Sequence, residues 1–270
     1  MIVKTLKNIP FFLLFSILSY AEPIIVAHRG ASKDAPENTI PAFELAWKQG
    51  ADAIEADFFL TKDNRIVCIH DKNTKKLANK ELIIKQAIAS ELRTLDVGTK
   101  HSPQFKGITI PLISEVFATI PPKKKIYIEI KCGIEIIPYL LEEIDRSGLT
   151  HDQIIIICFN PAVLKTIKLQ APHYKTLWLC KIKSRLGKLI PSQETILTTL
   201  KEIKADGFSS NKDNINTHTV KQIVQHGYEY HAWTIDNPTT AKYFSSLGAK
   251  SITTNVPAVI KHSLSTKSTK

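Results

Sequence analysis

Glycine-rich loops and closely spaced cysteines, two common signs of a cofactor or metal site, are missing from this sequence. Its 270 residues include 10 glycines and 4 cysteines. No glycine-rich segment follows an apolar run, which argues against a nucleotide-binding sheet. No CxxC spacing occurs, so a zinc site is not expected. We expect four free thiols within or beside strands, with disulfides as the alternative in an exported protein. The cysteines are Cys68, Cys132, Cys158 and Cys180.

The chain also lacks a dense basic cluster, although its formal net charge is +11. The lysines are spread along the sequence, and Lys123, Lys124 and Lys125 form the only run. No nucleic-acid-binding motif accompanies them, so a nucleic-acid partner is not expected. We expect a solvated basic surface that makes transient contact with anionic membranes, and no obligate protein partner is implied.

A long membrane-spanning run is absent as well. An almost unbroken apolar run at residues 9–18 follows Lys4 and Lys7 and is too short to cross a bilayer comfortably. Small residues at Ser19 and Ala21 then precede Glu22. This arrangement is typical of a secretory signal peptide. We predict a signal peptide at residues 1–21 and export to the periplasm or the medium.

Short apolar or β-branched runs alternate with amphipathic segments along residues 23–257. This alternation predicts βαβ units and a parallel sheet. The second and third runs are separated only by residues 61–65, so we count them as one bent element with a hairpin-like or broken connection. Eight strands then remain, which favours a (β/α)8 TIM barrel. An open doubly wound sheet is the alternative that counting strands leaves.

Residues 72–110 are too many for a simple βα loop, and their hydrophobic periodicity is weak. We predict that they form an insertion after the second strand that caps the site. The last ten residues, 261–270, are rich in Ser, Thr and Lys. We predict a flexible tail there, which leaves residues 22–260 as the catalytic barrel.

Ionisable side chains concentrate where several predicted strands end. In a parallel barrel these ends surround one mouth, where active sites lie. Residues i and i+2 of a strand share a face, so Glu55 and Asp57 point together, as do Glu129 and Lys131. Three carboxylates at one mouth predict a hard-oxygen site for one divalent cation, Ca²⁺ or Mg²⁺.

Two histidines, His28 and His70, also end predicted strands and can act as acid and base on opposite sides of a phosphorus centre. Arg29 and Lys131 can hold phosphate oxygens. Each residue alone has an ordinary structural explanation, such as a hydrogen-bonded strand histidine, a solvent-facing acid or, at Trp233, a core tryptophan. Their conjunction at one mouth favours phosphodiester cleavage over these explanations.

The same residues lie in sequence blocks that resemble the glycerophosphodiester phosphodiesterases, which are phospholipase C-like TIM-barrel enzymes. The resemblance covers about residues 23–257, and its first block is highly specific. In chain order the blocks are Val26-Ala27-His28-Arg29-Gly30, Pro36-Glu37-Asn38-Thr39, residues 50–57, His70-Asp71, Ile110-Pro111-Leu112 with Glu115, Ile128-Glu129-Ile130-Lys131, Phe159-Asn160-Pro161, residues 231–236 and Thr254-Asn255-Val256-Pro257.

This resemblance implies hydrolysis of a small-molecule glycerophosphodiester to glycerol 3-phosphate and an alcohol, with one divalent cation, Ca²⁺ or Mg²⁺. The roles that it implies are acid/base catalysis by His28 and His70, metal ligation by Glu55, Asp57 and Glu129, phosphate contact by Arg29 and Lys131, and substrate contact by Phe159 and Trp233.

Three departures from the family pattern leave the headgroup open. Residues 72–76 are basic and polar where the family usually has an acidic residue and an arginine. Lys250-Ser251 replaces an Asp-Gly, and Cys158 replaces a serine. None of these removes a proposed ligand or catalytic histidine. Two alternatives remain: a lysophospholipase D, which an apolar mouth would indicate, and a catalytically inactive phosphoester-binding module.

Overall fold

The computed structural model describes residues 22–265, in which eleven β-strands alternate with nine α-helices. The strands are β1 (Ile24–His28), β2 (Ala53–Leu60), β3 (Ile66–Cys68), β4 (Lys125–Ile130), β5 (Ile154–Cys158), β6 (Lys175–Cys180), β7 (Lys183–Arg185), β8 (Lys188–Ile190), β9 (Gly207–Asn211), β10 (Glu229–Trp233) and β11 (Ser251–Thr254). The helices are α1 (Ile40–Lys48), α2 (Ala89–Leu92), α3 (Ile113–Ala118), α4 (Ile137–Arg146), α5 (Pro161–Gln170), α6 (Gln193–Ile203), α7 (Thr217–Gln225), α8 (Pro238–Ser246) and α9 (Pro257–Ser265).

Eight of the strands close into a parallel barrel. Their order around the barrel is β1, β2, β4, β5, β6, β9, β10 and β11, and β1 completes the ring by pairing with both β2 and β11. The predicted (β/α)8 barrel is therefore confirmed, and the open doubly wound sheet is excluded.

Side chains alternate between the inside and the outside of this barrel. Val26, Tyr127 and Leu179 belong to a cluster in the barrel interior. Their sequence neighbours Ile25 and Ile126 belong to the larger core between the sheet and the outer helices. This alternation is the two-residue period of a strand, and it decides which charged residues of β2 and β4 face inward.

Polar caps fix several loops at the carboxyl end of the barrel. Asn160 follows β5 and accepts a hydrogen bond from the Ala162 amide at the start of α5. Asn237 follows β10 and accepts one from the Thr240 amide at the start of α8. Each cap satisfies an amide that the helix itself leaves unpaired, so the helix begins close to the strand end.

The second and third apolar runs are two separate strands and not one bent element, and the hairpin-like connection predicted for residues 61–65 is confirmed. β3 pairs with β2 in the antiparallel sense and lies outside the closed barrel. The turn between them is tight because Asn64 has a positive φ of 59° and Thr61 Oγ1 accepts a hydrogen bond from the Arg65 amide. A second hairpin, β7 with β8, was not predicted, because its strands are short, mostly exposed and rich in lysine.

Residues 72–110 contain no barrel strand and pack around a small core of their own. This core includes Ile84, Leu92 and Ile110. It packs on Val67, which lies in β3, and on Ile69, the first residue after β3. The segment lies beside the mouth of the barrel, since Lys76 Nζ is 3.6 Å from Glu37 Oε1, next to the end of β1.

The prediction of a flexible tail that begins at Lys261 is wrong for residues 261–265, which are helical. α9 continues to Ser265, and Lys261 Nζ lies 2.8 Å from Asp52 Oδ2. Asp52 also accepts a hydrogen bond from the Ile25 amide, so the last helix is tied to the start of β1.

The predicted signal peptide and residues 266–270 lie outside the described residues. Within residues 22–265, no helix combines the length and apolar character needed to span a bilayer.

The four cysteines are free thiols, as predicted from their positions in β-rich runs. Cys68 and Cys158 are buried, and Cys132 and Cys180 are partly buried. Cys158 Sγ lies 3.2 Å from the Ile130 carbonyl oxygen, so it is a small core residue at the junction of β4 and β5.

We predict that Gly30→Ala destabilises the fold more than Gly50→Ala does. Both glycines have positive φ, 82° and 81°, which costs an alanine about 1 kcal/mol at either position. A Cβ on Gly30 would lie 2.6 Å from the Ala42 backbone carbon, whereas a Cβ on Gly50 would meet nothing within 4 Å. Urea unfolding should show a further loss of about 1–3 kcal/mol for Gly30→Ala. Equal losses in the two variants would contradict the close packing of β1 against α1.

Candidate active site

Three carboxylates face one another inside the mouth of the barrel. Glu55 and Asp57 alternate with Ile54, Ala56 and Phe58 on β2, all three of which pack outward in the main core. Glu129 on β4 is paired in register with Asp57. One oxygen from each of Glu55, Asp57 and Glu129 lies within 4.8 Å of the others, and all three residues are buried. The predicted convergence of these carboxylates is therefore present in the structure.

Burial and mutual repulsion shift the pKa values of these carboxyl groups. Burial raises the pKa of Glu55 well above its ordinary value, and the charges on Asp57 and Glu129 add to this effect. Burial and the Asp57 charge raise the pKa of Glu129 to about 7, against the opposing effect of Lys131. Burial would also raise the pKa of Asp57, but Arg29 and Lys131 hold it below its ordinary value. The cluster thus holds protons at neutral pH unless more positive charge is supplied.

Asp57 is the most strongly held of the three. Its carboxylate lies 3.2 Å from Arg29 Nε and 3.3 Å from Lys131 Nζ. Asn38 donates its side-chain amide to Asp57 Oδ2 at 2.8 Å and accepts the Asp57 backbone N–H at 3.2 Å. Asp57 is 1% exposed and does not line the cavity, whereas Glu55 and Glu129 do.

Arg29 and Asn38 reach these contacts from a tightly turned loop after β1. Both have positive φ, 55° and 59°, which non-glycine residues rarely adopt. The Arg29 backbone amide donates to Glu55 Oε2 at 2.9 Å, and the Asn38 amide donates to the Arg29 carbonyl at 3.0 Å. Arg29 Nη1 also lies 3.1 Å from Glu37 Oε1. The loop is therefore held in the one conformation that presents Arg29 to the acids.

The two histidines line the same cavity, each with Nδ1 fixed by a hydrogen bond. His28 Nδ1 lies 2.7 Å from Asn255 Oδ1, and His70 Nδ1 lies 2.7 Å from Asp71 Oδ1. Burial lowers the pKa of His28, and the neighbouring Arg29 charge lowers it further. The lowered pKa therefore favours neutral His28, and His70 is oriented by its contact with the Asp71 carboxylate.

Two aromatic side chains form part of the cavity lining. The rings of Phe159 and Trp233 meet edge to face with centroids 5.8 Å apart. Phe159 is 44% exposed, and Lys131 Nζ lies 5.9 Å from the centre of its ring. All the predicted site residues therefore meet at one mouth, and all except Asp57 line the cavity: His28, Arg29, Glu55, His70, Glu129, Lys131, Phe159 and Trp233.

The carboxylate cluster fits a hard divalent cation. Three acids face two nearby cationic side chains, and the buried atom Glu55 Oε1 has no hydrogen-bond partner within the described part of the chain, while Asp57 Oδ1 has only its ion pair with Lys131 Nζ at 3.3 Å. A buried carboxylate oxygen without a partner carries a large desolvation cost, which a coordinated cation removes. Oxygen-only ligation suits Ca²⁺ or Mg²⁺ better than zinc.

Comparisons with known proteins agree with this geometry. Residues 28–259 match the model of the glycerophosphoryl diester phosphodiesterase family. A glycerophosphodiester phosphodiesterase of Caldanaerobacter subterraneus subsp. tengcongensis is 32% identical over 243 residues, which cover 88% of this chain and 96% of the relative. The chain belongs to the glycerophosphoryl diester phosphodiesterase family. As a member of this hydrolase family it is an enzyme, and the alternative of an inactive binding module is set aside.

Two further relatives show how widely the fold and the sequence are shared. An Oleispira antarctica phosphodiesterase, solved in complex with its product sn-glycerol-3-phosphate, has a TM-score of 0.81. It is 24% identical, and the match covers 91% of this chain and 98% of that one. A human lysophospholipase D is 34% identical over 135 residues, which cover 46% of this chain and 43% of the relative.

Some residues that line or support this cavity were not predicted from the sequence. Tyr127 lines the cavity two residues before Glu129, so the strand period could have identified it. Ser209 and Thr253 also line the cavity, but their strands carry no charged residue that marks a functional face. Asn38 and Asn255 lie in the blocks that resemble the family, yet only their contacts to Asp57 and His28 reveal what they do.

We predict that the stability of the chelated enzyme depends on the proton held by Glu129. The folded-state pKa is about 7 and the ordinary value is 4.5, so the folded protein binds more protons than the unfolded chain between these pH values. The Glu129 contribution to the free energy of unfolding therefore falls as pH rises from about 4.5 to about 7. In thermal melts, wild type should lose stability relative to Glu129→Gln across this range.

Adding Ca²⁺ or Mg²⁺ should raise the melting temperature of wild type more at pH 8 than at pH 5.5, because the ligands must lose protons to bind metal. Glu129→Gln should show a smaller rise with less pH dependence. A stabilisation by metal that is the same at both pH values would contradict the assignment of this cluster as the metal site.

Proposed function

We propose that the protein hydrolyses glycerophosphodiesters to glycerol 3-phosphate and a free alcohol. The observation that carries this proposal is the meeting of two histidines, three carboxylates and two cationic side chains at the mouth of the barrel. The name of the Caldanaerobacter relative, which aligns with almost the whole mature chain, gives the substrate class.

His28 and His70 are proposed to move the protons. In the reaction an oxygen nucleophile bonds to phosphorus and the bond from phosphorus to the alcohol oxygen breaks. One imidazole removes the proton of the nucleophile, and the other gives a proton to the departing alcohol oxygen. The lowered pKa of His28 favours it as the proton acceptor, which leaves His70, held at Nδ1 by Asp71, as the donor. Water and a hydroxyl of the substrate's own glycerol both fit as the nucleophile.

Arg29 and Lys131 are proposed to hold the phosphate, with Phe159 and Trp233 against the organic part of the substrate. The guanidinium and the ammonium lie beside the carboxylates at the cavity floor, where phosphate oxygens would approach. Glu55, Asp57 and Glu129 would hold one Ca²⁺ or Mg²⁺, which offsets negative charge that builds up on the phosphate oxygens.

The direct test is the release of glycerol 3-phosphate from glycerophosphocholine and glycerophosphoethanolamine, with Ca²⁺, with Mg²⁺ and with chelator. We expect release that chelator abolishes. His28→Ala and His70→Ala should each lower kcat by about 10²- to 10⁴-fold without loss of folded structure. His218→Ala, on the exposed face of α7, is the matched control and should behave as wild type. Wild-type turnover in His28→Ala or His70→Ala would contradict the proton-transfer roles proposed for these histidines.

A second substrate class, lysophospholipids, is favoured by a groove that continues the cavity. His70 and Lys131 line both the cavity and this groove, so the two are continuous. Beyond them the groove passes between the insertion and the loop after β4. Its lining combines an apolar part, Phe59, Leu60, Ile83, Ile84 and Cys132, with charged and polar residues that include Asp71, Lys72, Glu81, Lys85 and Glu135. An acyl chain would contact the apolar part of this groove.

The side chain of Ile83 tests this second activity, because it is 43% exposed at the groove. Ile83→Asp should lower kcat/KM for lysophosphatidylcholine by about tenfold, since an acyl chain would then face a charge. The value for glycerophosphocholine should not change. Ile88→Asp is the control, because Ile88 is 38% exposed on the same insertion and does not line the groove. Equal effects of Ile83→Asp on both substrates would exclude the groove as an acyl site.

We also propose that the enzyme works outside the cytoplasm. This rests on the signal-peptide pattern of residues 1–21 and on the basic charge, +11 for the full sequence and +9 without Lys4 and Lys7 of the signal peptide, which favours transient contact with anionic membrane surfaces. Its substrate is a small molecule, and neither a nucleic acid nor an obligate protein partner is part of the proposal.

A further inference from the structure

The ring of His28 is held by a residue from the opposite end of the chain. Asn255, which follows β11, places its Oδ1 atom 2.7 Å from His28 Nδ1. Ser32 Oγ donates to the same oxygen at 2.9 Å. Within residues 22–265, His28 Nε2 has no hydrogen-bond partner, and the ring lines the cavity. Nε2 is therefore the nitrogen available to the substrate.

The orientation of the Asn255 amide is decided by Asp236. Asn255 Nδ2 lies 2.7 Å from Asp236 Oδ2, and the Asn255 backbone amide donates to Asp236 Oδ1 at 2.8 Å. Thr254 Oγ1 donates to the same carboxylate at 2.9 Å. A carboxylate only accepts hydrogen bonds, so the NH₂ group of Asn255 must face Asp236. The oxygen of the amide must then face His28.

An amide oxygen is likewise only an acceptor, so the proton in the contact with His28 belongs to Nδ1 of the imidazole. We infer that Asn255, oriented by Asp236, is a positioning residue that fixes the Nδ1–H tautomer of His28 and leaves the lone pair of Nε2 facing the substrate. This inference rests on the proposed role of His28 as a proton acceptor. The chain of contacts runs from Asp236 through Asn255 to His28 and joins the ends of β10, β11 and β1.

This arrangement matters because the wrong tautomer cannot accept a proton at Nε2. A neutral imidazole has one protonated and one bare nitrogen, and the second partner of the ring decides which is which. His70 has the corresponding contact to a carboxylate, Asp71 Oδ1. The two histidines are thus both held at Nδ1, one by a neutral amide and the other by an acid.

The first variant to test is Asn255→Ala in the full mature chain. We expect kcat for glycerophosphocholine to fall by about 10- to 100-fold with little change in KM, as for the loss of other groups that orient a functional histidine. Long-range ¹H–¹⁵N NMR of ¹⁵N-histidine-labelled protein at pH 8 reports the tautomer directly. The His28 signal, assigned by its absence in His28→Ala, should show Nδ1–H in wild type and mixed tautomers in Asn255→Ala.

Ser32→Ala is the matched control, because it removes the other donor to Asn255 Oδ1 and leaves the contact with His28 in place. It should retain the wild-type tautomer and kcat. Asp236→Asn should give a partial loss, because Asp236 is exposed and the altered side chain can present either an oxygen or an NH₂ group to Asn255.

The double variant D236N/N255D exchanges the two side chains. It should rescue the tautomer and the activity, which would not happen if Asn255 had only a structural role. It reverses the hydrogen bond between the two positions and still presents an acceptor to His28 Nδ1. We expect it to recover the Nδ1–H tautomer and at least part of kcat relative to Asn255→Ala. Pure Nδ1–H tautomer together with wild-type kcat in Asn255→Ala would overturn the inference.

The NMR measurement also separates this inference from the proposed function. If the wild-type chain has the fixed tautomer but releases no glycerol 3-phosphate, the substrate assignment fails and the positioning contact stands. If the chain is active and its His28 is already a mixture of tautomers, the positioning role fails and the proposed function stands.

Discussion

The repulsion among three buried carboxylates is the constraint on which the rest of this site depends. Glu55, Asp57 and Glu129 lie within 4.8 Å of one another in the mouth of the barrel. Placing like charges so close in a buried site costs free energy, and the raised pKa values of Glu55 and Glu129 express that cost. The protein offsets only part of it with Arg29 and Lys131. A divalent cation held by the three carboxylates would offset the remainder.

Several unusual features of the structure follow from this one requirement. The loop after β1 adopts positive φ at Arg29 and Asn38 so that a guanidinium, a backbone amide and a side-chain amide all reach the acids. Lys131 is the first residue after β4, and its ammonium group contacts the carboxylates of both Glu129 and Asp57. Strained or charged residues of this type would destabilise an ordinary strand end, and they are tolerated here because they satisfy the carboxylates.

Much of this could be predicted from the sequence, because the period of a strand is fixed. Once β2 and β4 are recognised, the spacing of Glu55 to Asp57 and of Glu129 to Lys131 puts those side chains on one face, and the parallel barrel brings the strand ends together. The separation of β3 from β2 was harder, since both runs are apolar and the tight turn depends on side-chain contacts of Thr61 and Asn64. The β7–β8 hairpin and the end of α9 were missed because their residues are polar and depend on local turns or on a distant ion pair with Asp52.

Contacts between residues far apart in sequence could not be predicted from sequence patterns alone. Asn255 meets His28 across 227 positions, and Asn38 meets Asp57 through a turn whose conformation no spacing rule specifies. The residues proposed to do the chemistry carry a recognisable charge, whereas those that contact them are ordinary amides. Sequence patterns therefore identified the charged residues that meet at the mouth well and the amides that hold them poorly.

We propose that turnover requires one cation held by these three carboxylates. The most direct test is to titrate metal-free enzyme with Ca²⁺ or Mg²⁺ and to follow the heat of binding and the release of glycerol 3-phosphate in the same samples. We expect one ion per chain, activity that rises in proportion to occupancy, and loss of both signals in Glu129→Gln. Full turnover in enzyme shown to be metal-free, or binding that Glu129→Gln leaves unchanged, would contradict this proposal.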